Sequence, residues 1–546
     1  MRPLPSADIV IRNIDDIPKG WRVDDSILQM DERVKDIVVP LYYKDGGKTL
    51  YRLLVEERSQ AHPYVKTTKS QLQLLGIKPA MEVLYLCESS VLYSIHHHDD
   101  ENENTSEAND LENNQGSNLL KQIVSFAFQY ESSDLHCEVL TNKELSQIKF
   151  RIMGKLVKVN KFLLPSKLLD KLVAYIFNIK GGGNSTADFS RVEPQQCSLN
   201  EFEFAPGRKT NMRVASFPTN RGYKIVIRLM QSNASVQIRS LETLGYLQDQ
   251  IETIKLALGN KGGGILMSGV VNSGKSTSII SMIDMAPDDW EIYTVEEPIE
   301  TEIPNATQFQ VSRDLTGENQ SAFVGIKRQL KRMDLDACFI GEIRDRETAG
   351  MFRDVTESGH RAWSTIHAGS AFEVVGIRLP SDELGIPRHV IASPNFLNLV
   401  IYQALVPKLC NCKQCAKGVL PDDYLDFLQN EFGIKSDSVC VVNPDGCPDC
   451  RNDEIPMLNG IRGRQVVAEM LEIDSIAAQF IRDGDNQALY GMFISNPNKQ
   501  PYTSPVTAGK FAWEVALYHV SIGVFDPRSV ESVFGSLKKK LSDLRR

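Results

Sequence analysis

The chain has 546 residues, 42% of them hydrophobic and 24% charged. That is room for roughly three to four domains of ~150 residues and excludes a wholly disordered, collagenous or disulfide-scaffold protein. Against 61 basic side chains stand 70 acidic ones, a net charge of −9, and seven of the acids fall between Asp99 and Glu112, so the remainder carries only −2 and is not a strongly basic nucleic-acid binder. In chain order, the β-rich pieces Asp36–Tyr43 and Met81–Leu86 flank a helix predicted at Ser70–Leu75, so residues 1–95 read as a small α/β docking domain without recognisable chemistry. Residues 96–118 are nearly devoid of apolar side chains and predict a flexible acidic linker, because nothing there buries enough surface to offset chain entropy. His96, His97 and His98 are taken as its solvated edge rather than as metal ligands.

Helical periodicity returns over Leu119–Tyr130 and is followed by strand-like runs, among them Ile148–Ile152 and Tyr223–Leu229, which predict an α/β domain over 119–235. After a polar turn at Gln231–Ser235 a second α/β pattern occupies 236–409, a cysteine-bearing segment 410–471 and a helical region 472–546. Lys538–Lys540 and Arg545–Arg546 are assigned to a solvated helix end, and no internal repeat is present. No apolar run approaches the ~18 residues that cross a bilayer. The N-terminus, MRPLPSADIVIRNIDD, lacks the charged start and apolar stretch of an export signal.

The strongest signal is Gly269-Val-Val-Asn-Ser-Gly274-Lys275-Ser276, a G-x-x-x-x-G-K-[ST] loop between an apolar strand, Gly264–Met267, and an amphipathic helix, Thr277–Met285. Glycines let the backbone curl until successive N–H groups converge on phosphate oxygens, and the helix N-terminus adds positive potential. Gly269, Asn272, Ser273, Gly274, Lys275, Ser276 and Thr277 therefore form the predicted nucleotide set. Lys275 is placed on the β- and γ-phosphates and the Ser276 hydroxyl on Mg²⁺. Two apolar strands that end in acids suit the same chemistry: Asp336-Ala-Cys-Phe-Ile-Gly-Glu342 and Tyr293-Thr-Val-Glu296-Glu297-Pro-Ile-Glu300. An acid at the C-terminal edge of a buried parallel strand lies beside the phosphate loop, where it can hold Mg²⁺ or polarise water.

With these residues in place the chain resembles the secretion ATPases of type II secretion and type IV pilus assembly, a GspE/PilB-like family, over roughly residues 119–471. Ile340-Gly-Glu-Ile-Arg-Asp345 with Glu347-Thr-Ala349 is similar to the family's Walker B region, Ser358-Gly-His360 and Ser364-Thr-Ile-His367 to its histidine box, and Glu296–Glu300 to its aspartate box. Ser133-Asp-Leu-His136, Phe150-Arg-Ile-Met-Gly154 and Arg213-Val-Ala-Ser-Phe-Pro-Thr219 resemble its N-terminal motor domain. The resemblance implies a RecA-like core preceded by a PAS-like domain, in a hexameric ring with nucleotide between the two. It implies that Glu342 positions or activates the attacking water, that Glu297 or Glu300 assists, and that His367 senses the γ-phosphate. Arg213 and Arg228 would reach the nucleotide and neutralise developing charge, with an ordinary strand-end salt bridge as the alternative; Arg344 and Arg378 are further candidates of the same kind. Three departures stand out: the family's Gly-Pro-Thr-Gly-Ser-Gly-Lys has become Gly-Val-Val-Asn-Ser-Gly-Lys, Glu297 replaces an aspartate, and Gln-Arg-Leu-Val-Arg has become Gln403-Ala-Leu-Val-Pro407.

Six of the ten cysteines lie between Cys410 and Cys450, a pattern of metal binding in a reducing, cytoplasmic compartment rather than of disulfides. Cys412-Lys-Gln-Cys415 and Cys447-Pro-Asp-Cys450, separated by 31 residues, can wrap a tetrahedral ion, and four thiolates favour a closed structural Zn²⁺ site. Cys410 offers an alternative pair with Cys412 or Cys415, and an iron–sulfur cluster or free thiols are the other possibilities. The resemblance adds that the family often carries such an element here, followed by a segment that Gly460-Ile-Arg-Gly-Arg464 matches. Cys87, Cys137, Cys197, Cys338 and Cys440 read as core or incidental residues.

These readings predict a homohexameric, Mg²⁺-dependent ATPase with a zinc element, cytoplasmic at the inner face of a bacterial inner membrane. It would drive type IV pilus assembly or type II secretion through an inner-membrane platform protein and other machinery components, a type IVb-like pilus system being preferred. It would touch the membrane only through partners and make no direct contact with nucleic acid. One alternative is a nucleic-acid translocase on the same core with the cysteine element as a DNA-binding finger, against which stand the near-balanced charge and the lack of a basic, aromatic-interleaved stretch. The other is a non-catalytic nucleotide-dependent scaffold, against which stands the presence of Lys275, Ser276 and Glu342 together.

Overall fold

Runs of β-branched, aromatic and other apolar residues set the first sheet of the computed structural model: β1 Val10–Ile11, β2 Val38–Asp45, β3 Lys48–Glu56 and β4 Lys78–Cys87, in the order β1-β4-β3-β2. The structure describes residues 10–11, 16–24, 27–28, 30, 32–35, 37–45, 48–56, 59–87, 91–92, 105–140, 143–180, 189–231, 238–260, 262–297, 299–311, 325–326, 329–330 and 332–545. The chain divides into two units, one of residues 1–122, 167–198 and 215–223 and the other of residues 123–166, 199–214 and 224–546.

In the first unit β2 and β3 form an antiparallel hairpin, and β4 returns parallel to β3 after helix α1, Pro63–Leu74. A parallel return needs a crossover of this kind. The sheet buries Leu41, Leu54 and Tyr85 in one cluster and Tyr51, Leu53, Val65 and Leu72 in the other. The helix expected at Ser70–Leu75 starts earlier, at Pro63, where proline suits the first helical position and the His62 side chain accepts from the Tyr64 N–H.

Helix α2 runs from Thr105 to Gln129. The linker expected over 96–118 is therefore corrected over 105–118, which is helical, while 96–104, with His96, His97 and His98, lies outside the described residues. Leu120, Ile123, Val124 and Phe126 are buried, and once such a segment is anchored each added residue gains a hydrogen bond, so Glu, Ala and Gln extend it. Composition alone missed this because a helix can propagate from a buried half into a polar one. Phe126 packs on Phe150 and Phe162 with ring centroids 4.8 and 5.0 Å apart. Those rings belong to a six-stranded sheet of β5 Asp134–Leu140, β6 Leu145–Ile152, β7 Lys155–Pro165, β8 Gln195–Ala205, β9 Arg208–Thr219 and β10 Gly222–Gln231, in the order β7-β6-β5-β10-β9-β8.

The remaining large sheet has seven strands. Helix α3 Gln248–Gly259 precedes β11 Gly263–Ser268, and helix α4 Lys275–Ile283 follows it. Then come β12 Ile292–Glu296, β13 Thr307–Gln310, β14 Ala337–Glu342, helix α5 Arg346–Glu357, β15 Arg361–Ile366 and β16 Leu397–Leu409. A two-residue ribbon, β17 Gln414–Cys415 with β18 Cys440–Val441, leads to β19 Ile461–Glu472 and helix α6 Ala512–Ser521. The order is β13-β12-β14-β15-β11-β16-β19, with β19 antiparallel to β16 and the other neighbouring strands parallel. Every residue of β11, β12 and β15 is buried, as expected of strands covered on both faces. Because β14, β15 and β11 are neighbours and parallel, the segments that leave their C-terminal ends emerge side by side.

Candidate nucleotide site and cysteine cluster

The loop after β11 takes a shape that its residues permit. Gly269 has φ +153°, and a Cβ there would fall 2.5 Å from the Gln403 carbonyl oxygen and 2.5 Å from Ser273 Oγ. Gly274, the N-cap of α4, is left-handed at φ +82°. Asn272 is also left-handed at φ 62°, a conformation that asparagine tolerates better than most residues, which explains how it replaces glycine here. Its Nδ2 donates to Ser133 Oγ at 3.3 Å. Gln403 braces the loop through Nε2 to the Ser273 carbonyl, 2.6 Å, and its Oε1 accepts from the Tyr246 hydroxyl. The first residue of the divergent 403–407 run thus has a local task, while Ala404 is a core position with no room for an exposed arginine.

Lys275 Nζ donates to the carbonyls of Gly269 at 3.0 Å and Val270 at 3.1 Å and lies 3.5 Å from His367 Nδ1. His367 Nε2 is in turn 2.8 Å from Glu342 Oε1. A neutral imidazole carrying its proton on Nε2 satisfies both neighbours, accepting from the ammonium and donating to the carboxylate. Burial lowers the pKa of Lys275, against the pull of Glu342 and Glu300. Ser276 and Thr277 are exposed at the start of α4.

A cleft of about 120 Å³ opens beside this group, and its lining includes Ser276, Glu296, Glu297, Glu300, Glu342 and Arg344. Glu297 is paired with Arg344, and Glu300 acts electrostatically on both Lys275 and Arg213. Burial lowers the pKa of Arg213, with Glu300 opposing and the nearby Arg228 and Arg344 adding to the fall. Arg228 Nε donates to the buried Asp134 Oδ1 at 3.1 Å, and Ser133 Oγ, the partner of Asn272, donates to Asp134 Oδ2 at 2.8 Å. Arg378 pairs instead with Glu383 at 3.2 Å and does not line the cleft. Asp134 was not singled out from sequence. Glu296, placed from sequence in the acidic box, has its carboxyl raised by burial while it accepts from Thr294 Oγ1 at 2.6 Å and Gln308 Nε2 at 3.0 Å.

These residues suit a triphosphate: a tight glycine cradle, a buried ammonium with its donors on the loop, a hydroxyl at a helix start, and the Arg344 guanidinium in the cleft wall. The side of the cleft next to His367 carries the acid that a phosphoryl-transfer site uses to orient a nucleophile.

The Sγ atoms of Cys410, Cys412, Cys447 and Cys450 all lie within 4.8 Å of one another. The predicted set is corrected here: Cys410 replaces Cys415. Cys415 enters the ribbon opposite Cys440 and is exposed, so the strand turns it away from the cluster. Cys450 Sγ accepts N–H bonds from Cys447 at 3.2 Å and Gly460 at 3.3 Å. Burial works to raise this thiol, but those N–H donors and the neighbouring thiols carry it down to about 7. A four-sulfur set with amide donors aimed at it fits a soft divalent ion.

Residues 110–502 match the family described as Type II/IV secretion system protein. The chain is 30% identical over 370 residues to the type IV pilus assembly ATPase TfpB of Acinetobacter baylyi, covering 67% of this chain and 58% of that protein. It is 28% identical over 401 residues to type II secretion system protein E of Dickeya dadantii, covering 72% and 74%. Among solved structures, the Legionella pneumophila ATPase DotB superposes with a TM-score of 0.50 at 17% identity, over 76% of this chain and 94% of that one, a likeness of fold alone. The nucleic-acid translocase finds no support in these likenesses. Among the described residues no helix is long and apolar enough to cross a membrane.

Proposed function

The chain belongs to the type II/IV secretion system protein family, and from that membership we propose that it is a Mg²⁺-dependent ATPase that powers type IV pilus assembly or type II protein secretion. The observation that carries this is the line Lys275–His367–Glu342, set by three neighbouring parallel strands at the mouth of the phosphate loop. Lys275 would exchange its two loop carbonyls for β- and γ-phosphate oxygens. Glu342 would hold the attacking water and accept its proton, with Glu297 or Glu300 assisting at the acidic wall of the cleft. His367, bonded to both Lys275 and Glu342, would link the position of the terminal phosphate to that of the base. Arg213 and Arg228 would neutralise charge as the phosphoryl leaves. Mg²⁺, held by Ser276, would supply charge neutralisation on the phosphates.

In this proposal the seven-stranded sheet is a RecA-like core, the six-stranded sheet a PAS-like domain that closes over it, and the cysteine cluster a structural zinc site. The working form is a homohexamer at the cytoplasmic face of a bacterial inner membrane, engaged with a membrane platform protein. The test is phosphate release by the purified, metal-replete chain with Mg·ATP, alone and with its platform protein. Turnover should vanish in Lys275→Ala together with nucleotide retention. No phosphate release and no retained ATP under either condition would overturn the proposal.

A further inference from the structure

Glu469 has no part in the chemistry above, yet it is among the most tightly held acids in the molecule. It sits on β19, in register with Tyr402 of β16, and is only 4% exposed. Its two oxygens accept from the first amides of two different helical segments. Oε1 takes the Ala371 N–H at 2.9 Å, and Oε2 takes the Ala512 N–H at 3.1 Å. Ala512 opens α6. Ala371 opens the short helix Ala371–Glu373, capped by Ser370, four residues beyond His367. A carboxylate can serve two such donors at once because it accepts on both oxygens and donates on neither. When ionised, the group also gives both helix N-termini, which favour negative charge, one shared counter-charge.

The surroundings are charged. Glu514 of α6 and Lys540 act on Glu469 electrostatically, while Tyr402 of β16 and Tyr490 both feel its charge. Glu514 is itself occupied by Lys499 and by the Phe511 N–H. At the other end of the link, Gly369 N–H is held by Glu373 at 2.7 Å, so the segment from His367 to Ala371 is tethered at both sides of its turn.

We propose that Glu469 is a positioning residue that ties the loop carrying His367 to helix α6, so that this distant C-terminal helix sets where His367 stands between Lys275 and Glu342. The inference rests on the reading of those three side chains as the hydrolytic group. A shift of α6 would be felt at His367 through two hydrogen bonds and four residues of chain, and a change at the phosphate end would travel back along the same path.

Proline separates this link from general stability. Ala512 and Ala371 are both first helical residues whose preceding residues are extended, with φ −67° and ψ 158° at Phe511 and φ −162° and ψ 165° at Ser370. Proline is tolerated there and removes only the N–H. In the full-length, metal-replete chain, Ala512→Pro and Ala371→Pro should each lower kcat for ATP by about tenfold while KM stays within about twofold, the split expected when an interaction acts on the chemical step alone. Glu469→Gln should do the same, because one of its two amide partners then meets an NH₂ group. Hydrogen exchange read on the protein without nucleotide should show faster exchange over residues 367–378 in Ala512→Pro. Unchanged exchange over 367–378 together with kcat within twofold of the parent would overturn the link. Faster exchange there, with a parent protein that releases no phosphate, would uphold the link and overturn the ATPase reading instead.

Discussion

Arg361 supplies the most direct test of how the fold holds its site-bearing strand. It is 1% exposed, and its guanidinium donates to the carbonyls of Gly263 at 2.9 Å, Ala257 at 2.8 Å, Asn260 at 2.5 Å and, weakly, Leu258 at 3.4 Å. Ala257 and Leu258 belong to the last turn of α3, whose carbonyls have no partner within the helix, and a cation there also meets the negative end of the helix dipole. Burial costs enough to bring the guanidinium down to about 10, so the bonds must outweigh a substantial desolvation. In Arg361→Met the Asn260 carbonyl regains water, since that residue is exposed, whereas the buried carbonyls of Gly263 and Ala257 lose the guanidinium donor. At ~1.5–3 kcal/mol for each buried hydrogen bond from a charged donor, less the desolvation that methionine avoids, the loss should be about 3 kcal/mol. Urea unfolding followed by tryptophan fluorescence is well placed to read it, because Trp363 is fully buried two residues away. Arg361 lies opposite Gly263, at the other end of β11 from the phosphate loop, so kcat of the folded fraction should be unchanged. A loss under about 1 kcal/mol, or a fall in kcat at full folding, would refute this account.

Glu342→Gln should lower kcat by about two to four orders of magnitude while ATP binding persists, the usual effect of removing a positioned base; turnover within tenfold of the parent would remove Glu342 from that role. Cys410→Ser should abolish bound zinc as measured by metal analysis of the purified protein, whereas Cys415→Ser should retain one ion per chain, and the reverse outcome would restore the C-x-x-C pairing. Burial raises the Glu469 carboxyl from 4.5 to about 7, partly offset by its two N–H bonds. The folded form therefore holds this proton more tightly than the unfolded one. Its contribution to stability is complete below about pH 4.5 and is lost as pH rises through 7, by up to about 3 kcal/mol. The difference in unfolding free energy between parent and Glu469→Gln, followed from pH 5 to 8, should change by that amount, and parallel pH profiles would count against it.

What could be read from the sequence divides along a physical line. The phosphate loop was legible because its demands are local: Gly269 and Gly274 adopt backbone angles closed to most residues, and both are contiguous with the lysine they serve. Glu342 and His367 were legible at one remove, since each follows an apolar strand, and parallel strands deliver their C-terminal ends to one edge. The register then did the rest, placing β14 beside β15 and β15 beside β11. Residues whose task depends on two distant segments gave no such signal. Arg361 in an apolar strand looks like any strand-end charge until the end of α3 is brought against it. Glu469 looks like the solvent side of an alternating strand until two helix starts converge on it. Spacing favours Cys415, through its C-x-x-C pair with Cys412, over Cys410, and only the ribbon with Cys440, a pairing 25 residues away, turns Cys415 out. The polar half of α2 failed for the opposite reason: composition reports what a segment can bury, but not what a helix already anchored at Leu120 and Ile123 can extend into. The residues proposed for the chemistry thus announce themselves locally, while the contacts that hold the parts in place are written in pairs of segments far apart in the chain. For that reason Ala512 and Ala371, which carry no chemistry at all, are more informative positions to substitute than another residue of the phosphate loop.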